Sequence, residues 1–160
     1  MHLLSTGIPA TGKTDIGDHL HGHYGFVHLD FEALDTLRRF WSPEGILKHE
    51  VRAVMGSCDR VVISWGFVVQ TQTTAVLELR TLGFTWVWFD GHRDEALQIY
   101  LDCGREVTCW DRQMASVQGL LEPQLPALGA VVVDPRDHQG KLRDRDEIVR
   151  QLMGVCYLEA

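Results

Sequence analysis

Eight residues near the amino end, Gly7-Ile8-Pro9-Ala10-Thr11-Gly12-Lys13-Thr14, have the types and spacing to hold a polyphosphate. Gly7 and Gly12 let the backbone wrap so that successive N–H groups face one concave side, an anion nest. A helix is expected to start at Lys13, and its positive end adds to the field in that nest. Lys13 supplies a point charge for β- and γ-phosphates, and the Thr14 hydroxyl suits Mg2+. All eight residues, Gly7 through Thr14, are therefore candidate contacts for ATP, or another nucleoside triphosphate, with magnesium.

A bound triphosphate raises the question of what receives the phosphate. The next informative stretch is Phe26-Val27-His28-Leu29-Asp30-Phe31-Glu32-Ala33-Leu34-Asp35. Asp30 closes a short apolar run and Glu32 follows two residues later, so both carboxylates leave one strand end together. A carboxylate there can orient a hydroxyl and accept its proton, or hold magnesium through water. The same pair suits a helix start, with Asp30 as N-cap and Glu32 in the favourable first turn. The two roles are compatible.

With these residues the chain resembles the small P-loop kinases, in particular the shikimate-kinase and gluconate-kinase branch of the nucleoside-monophosphate-kinase group. The resemblance rests on the Gly7–Thr14 loop, which has the Walker A pattern, followed by Ile16-Gly17, Leu20 and Gly25-Phe26. It rests also on Asp30-Phe31-Glu32, 17 to 19 residues beyond Lys13, and on Val61-Val62-Ile63-Ser64-Trp65-Gly66-Phe67, an apolar run ending in a glycine turn. It implies that Asp30 is the catalytic or magnesium-directing acid and Glu32 its partner at the acceptor. It further implies an acceptor-binding arginine at Arg52, an acceptor contact at Gly66, and lid arginines at Arg105 and Arg112 that stabilise the transferring group. The loop holding Asp134, Pro135 and Arg136 should border the adenine. Three departures stand out. The Arg-Pro lid signature is absent, Tyr100 stands where a lid-leading arginine is expected, and Ser64 replaces a Walker B acid.

Positioning such groups takes strands that end together at one edge. Short apolar runs alternate with helical patterns: strands at His2–Thr6, Val27–Leu29, Arg60–Ser64, Phe84–Phe89 and Ala130–Val133. Helices are expected at 13–24, 31–40, 42–55 (Ser42 as N-cap and Pro43 at the first position), 71–82, 93–103 and 145–158, with a partly helical, lid-like segment around 104–119. This alternation predicts one α/β domain over residues 1–160, a three-layer P-loop NTPase fold. Its five-stranded parallel sheet is expected in the order 2-3-1-4-5, with helices on both faces. Ligands of such sheets bind along the carboxyl ends of the strands.

Composition narrows the partners. The net charge of −7 disfavours a nucleic-acid polymer or a membrane surface, and no apolar run approaches the roughly 20 residues that span a bilayer. No signal-peptide pattern precedes the loop, so a cytoplasmic monomer or homodimer is expected. Cys58, Cys103, Cys109 and Cys156 form no C-x-x-C pair and read as reduced thiols. His19, His21, His23 and His28 read as solvated polar positions. Trp41, Trp65 and Phe67 lie at the expected acceptor side, where an aromatic face can stack on a flat acceptor; core packing is the competing role. Trp86 and Trp88 read as core. The function these features point to is transfer of the γ-phosphate of ATP to a hydroxyl or phosphate of a small molecule. The alternatives are a nucleoside or nucleoside-monophosphate kinase and a non-catalytic ATP-binding regulator.

Overall fold

A computed structural model describes residues 1–158, with side chains through residue 154. Its central sheet is built from β1 (His2–Gly7), β2 (Val27–Asp30), β5 (Val61–Trp65), β6 (Thr85–Phe89) and β7 (Val131–Val133). The spatial order is β2-β5-β1-β6-β7, and every pairing is parallel. Counting only these five, that is the expected order 2-3-1-4-5. The helices are α1 (Lys13–Tyr24), α2 (Leu34–Phe40), α3 (Lys48–Ser57), α4 (Val69–Thr81), α5 (Arg93–Asp102), α6 (Val107–Ser116) and α7 (Arg145–Leu158).

Because side chains alternate across a strand, β5 splits its apolar run between two cores. Val61, Ile63 and Trp65 pack with Val51, Val76, Leu79 and Met114, from α3, α4 and α6. Val62 faces Ile16, Leu20, Ile148 and Leu152, from α1 and α7. Both faces of the sheet are thus covered, and its ligand-accessible part is the edge where the strands end.

Two local expectations change. Ser42-Pro43 starts a hairpin rather than a helix: β3 (Trp41–Ser42) pairs antiparallel with β4 (Gly45–Ile46), and α3 begins only at Lys48. Ser42 Oγ does accept the Glu44 N–H at 3.3 Å, the bond an N-cap would make. Gly45, at φ 124, then turns the chain back, and a side-chain bond two residues on serves turns as well as caps. The lid-like segment also divides. Residues 101–109 are exposed throughout, whereas α6 and the wide π turn after it (Val117–Leu121) bury Trp110, Met114, Val117 and Leu121 in the core.

Candidate active site

β1 delivers the chain to the glycine loop from the middle of the sheet. Gly7 adopts φ 147, and a Cβ there would lie 2.7 Å from the Phe89 nitrogen and closer still to its carbonyl oxygen. The next residue is anchored: Ile8 is fully buried and its N–H donates to the Phe89 carbonyl at 3.1 Å. Ala10 (φ 59) and Gly12 (φ 80) are both left-handed, and α1 starts immediately after, with the Ile16 N–H on the Gly12 carbonyl at 2.9 Å. Ala10 holds a conformation that costs an L-residue about 1 kcal/mol, strain stored in a loop that must curve.

Two side chains close this loop on itself. The Thr11 hydroxyl and the Lys13 ammonium both donate to the Ile8 carbonyl, each at 2.8 Å. Lys13 is buried, and burial pushes its ammonium from the ordinary 10.5 down to about 8. Glu32 and Asp30 pull it back up and Arg105 pushes it further down, so charges from two distant segments already converge on it. A triphosphate bound beside Lys13 would raise it back toward the ordinary value. At pH 8, where the free ammonium is half protonated, nucleotide binding should therefore take up about half a proton. Calorimetry in two buffers of different ionisation enthalpy reads this directly. Equal heats in both buffers at pH 8 would show that Lys13 keeps its full charge in the free protein.

The loop forms one wall of a cleft of about 900 Å³ along the carboxyl edge of the sheet. Pro9, Ala10, Thr11, Gly12, Lys13 and Thr14 all line it, and so does Glu32. Glu32 lies against Gly66, where any Cβ would strike its Oε1, so the glycine leaves room for the carboxylate. Asp30 sits half-buried and does not itself line the cleft; its Oδ1 accepts the Glu32 N–H at 2.9 Å, and among the described residues no bond engages Oδ2. Thr14 is exposed in the first turn of α1. A hydroxyl and a free carboxylate oxygen are hard donors of the kind magnesium takes, so these residues fit the ion.

Of the expected lid arginines, Arg105 lines the cleft, its guanidinium carbon 5.4 Å from the Tyr100 ring centroid. Tyr100 thus supports an arginine at the position where one was expected. Arg112 is exposed on α6 and does not line the cleft, although its neighbour Gln113 does, because α6 turns Trp110 and Met114 inward. Arg52 is likewise exposed on α3, away from the cleft. Trp65 is a correction: it is 3% exposed, within 5.6–5.8 Å of the Phe31, Trp41 and Phe67 rings, and belongs to the core. Position 65 of β5 points to the α3–α4 face, away from the ligand edge.

At the opposite end of the cleft, Pro135 and Arg136 line the wall. Asp134 accepts the Arg136 N–H at 2.9 Å, and Arg136 Nη1 donates to the Gly140 carbonyl at 2.6 Å while its buried Nη2 has no partner. Arg143 and Arg145 also line the cleft, though the sequence reading did not single them out. Arg145 holds Asp15 of α1 in a two-pronged pair, both bonds 2.7 Å. Arg143 donates to the Asp134 carbonyl at 2.9 Å and to Glu147. Their only sequence signal was the alternation of charges in Lys141-Leu142-Arg143-Asp144-Arg145.

His28 also differs from expectation. His28 is not solvated: its side chain is 7% exposed, with Nε2 2.8 Å from Ser64 Oγ and Nδ1 2.9 Å from Asp18 Oδ1. Gly17 has no room for a side chain above that ring. The polar chain ties α1 to β2 and β5. His19 is also engaged, 2.7 Å from Asp146. Cys58, Cys103 and Cys109 are free thiols, and the side chain of Cys156 lies outside the described residues. No helix among the described residues is long and apolar enough to cross a membrane.

No protein-family model matches this chain, and no curated protein matches it. Solved structures do. A gluconokinase from Sinorhizobium meliloti 1021 superposes with a TM-score of 0.58 at 15% identity, over 99% of this chain and 97% of that one. A shikimate kinase from Acinetobacter baumannii, solved with shikimate, gives 0.64 at 15% identity, over 98% and 93%. A shikimate kinase from Bacteroides thetaiotaomicron gives 0.54 at 16%, over 98% of each chain. The likeness spans the whole domain, and the fold is that of the small P-loop kinases.

Proposed function

We propose that this chain, folded as the small P-loop kinases are, transfers the γ-phosphate of ATP to a hydroxyl of a small molecule. The observation that carries the reading is the convergence on one cleft of the loop with Lys13, the carboxylate of Glu32 and the guanidinium of Arg105. Loop amides and Lys13 hold the β- and γ-phosphates. Thr14 and the free oxygen of Asp30 are the residues that would hold Mg2+, which when bound neutralises charge on the phosphate oxygens. Pro135 and Arg136 flank the nucleobase.

Glu32 faces the cleft, and among the described residues nothing bonds its carboxylate, so it is placed to orient the acceptor hydroxyl. The hydroxyl oxygen attacks the γ-phosphorus and a new O–P bond forms. The bond from that phosphorus to the β–γ bridging oxygen breaks, and its electron pair leaves on ADP. The hydroxyl proton passes to Glu32 and then to water. Arg105 approaches as charge spreads over the transferring oxygens, and positioning supplies the rest of the acceleration.

The test is a screen for acceptor-stimulated ADP release, run beside calorimetry of MgATP. Binding without release under any acceptor would leave only the regulator reading. Once an acceptor is found, Glu32→Gln should lower kcat about a hundredfold with ATP affinity within about twofold. Asp30→Asn should instead raise the magnesium concentration needed for half-maximal rate. If the two variants behave alike, the division of roles fails. The two lid positions also separate: Arg105→Ala should lower kcat about a hundredfold, Arg112→Ala by less than about twofold. Equal losses would put Arg112 over the phosphoryl group in the closed state.

A further inference from the structure

The distribution of charge along the cleft bears on the acceptor. Along the carboxyl edge of the sheet, the turns after β2 and β5 contribute Glu32 and Gly66, with Asp30 behind them; β1, in the middle, contributes the loop; and the segment from β7 to the start of α7 contributes Arg136, Arg143 and Arg145 together with Asp144 and Asp146. The nucleotide end carries three arginines interleaved with Asp15, Asp144 and Asp146, whereas the acceptor end carries the Glu32 carboxylate and no lysine or arginine of its own.

The chain has 15 Lys and Arg, and none falls after residue 154, so all are described. Those on the acceptor flank turn elsewhere. Arg39 pairs with Glu50 at 3.3 Å, Lys48 with Glu78 at 3.0 Å and Arg38 with Asp35 at 3.8 Å, while Arg52 is exposed; none of them lines the cleft. Among the described residues no cation pairs with Asp30 or Glu32. Arg105, the cleft cation supplied by the segment between α5 and α6, is assigned to the transferring phosphoryl group.

We infer, resting on the kinase reading above, that the acceptor is an alcohol bearing no acidic group: a neutral polyol or sugar, or one carrying an ammonium. Hydroxyl and ammonium groups donate to the free carboxylate of Glu32, whereas a carboxylate or phosphate would meet like charge while the nearby cations, Lys13 and Arg105, are engaged by the triphosphate. A sugar acid or a nucleoside monophosphate requires a cation that this end of the cleft does not supply.

The experiment measures ADP release with MgATP and four pools of probes: neutral polyols and sugars, amino sugars and amino polyols, sugar acids, and nucleoside monophosphates. Glucitol, glucamine and gluconate form a matched set that differs at one carbon. The expected result is acceptor-stimulated release in the first or second pool, with kcat/KM at least tenfold above any member of the other two. Highest activity with an acid or a monophosphate overturns the inference and leaves the kinase reading standing. Release in no pool, with MgATP still binding by calorimetry, overturns the kinase reading and the inference with it.

Discussion

Replacing Lys13 by methionine is expected to cost about a thousandfold or more in phosphoryl transfer while making the ligand-free protein more stable. In the proposed mechanism the ammonium serves the phosphates. In the free protein it is buried and makes one hydrogen bond, to the Ile8 carbonyl at 2.8 Å. Its fall from 10.5 to about 8 corresponds to about 3 kcal/mol of charge-burial cost at neutral pH, at 1.36 kcal/mol per unit. Methionine keeps most of the volume and removes the charge, at the loss of one bond worth about 1 kcal/mol. The net gain is about 1–2 kcal/mol, or roughly 2–8 °C in Tm for a domain of this size. The sign with pH follows from the same shift. Between about 8 and 10.5 the unfolded chain holds more protons at this group than the folded chain, so its cost is full below pH 8 and fades as pH rises. The stability advantage of Lys13→Met should therefore shrink between pH 8 and 10.5. Thermal melts across that range check both claims, and a variant less stable than the parent at pH 7 would refute the charge-burial account.

Gly7→Ala should be the most damaging single-methyl change in the chain. Gly7 pairs with Phe89 across the β1–β6 ladder, and the added Cβ would meet backbone atoms of Phe89, which cannot rotate aside. The φ of 147 adds strain of its own. The collision falls where the central strand feeds the loop, so it would also disturb the Ile8 N–H bond to the Phe89 carbonyl. A loss of about 3 kcal/mol or more is expected, roughly 6–12 °C in Tm, with saturating MgATP unable to restore it. Gly22→Ala is the control: it lies inside α1 with nothing near its Cβ, and should stabilise by about 0.5–1 kcal/mol. If the two variants melt within about 2 °C of one another, the tight approach of β1 to β6 is not what Gly7 serves.

How far each feature could be read in advance depended on how local its physics is. The glycine loop was legible because eight consecutive residues carry the whole device: two glycines for the curvature, a helix start, a lysine and a threonine. The order of the sheet was legible because continuous apolar runs alternating with helices admit few topologies once crossovers are right-handed. Asp30 and Glu32 were legible as a pair because a strand end two residues long cannot separate them.

What the tertiary structure alone decided is orientation and distant encounter. Trp65 and Ser64 are neighbours in sequence, yet the alternation of β5 sends one into the aromatic core and the other to His28. Arg105 and Arg112 looked equivalent until the packing of Trp110 and Met114 set the rotation of α6. Ser42-Pro43 could cap a helix or open a hairpin, and the pairing of Trp41 with Ile46 chose the hairpin. Arg145 reaches Asp15 across 130 positions of chain. A sequence states its short-range geometry residue by residue; the face a side chain presents, and the charge it meets there, depend on every packed element at once.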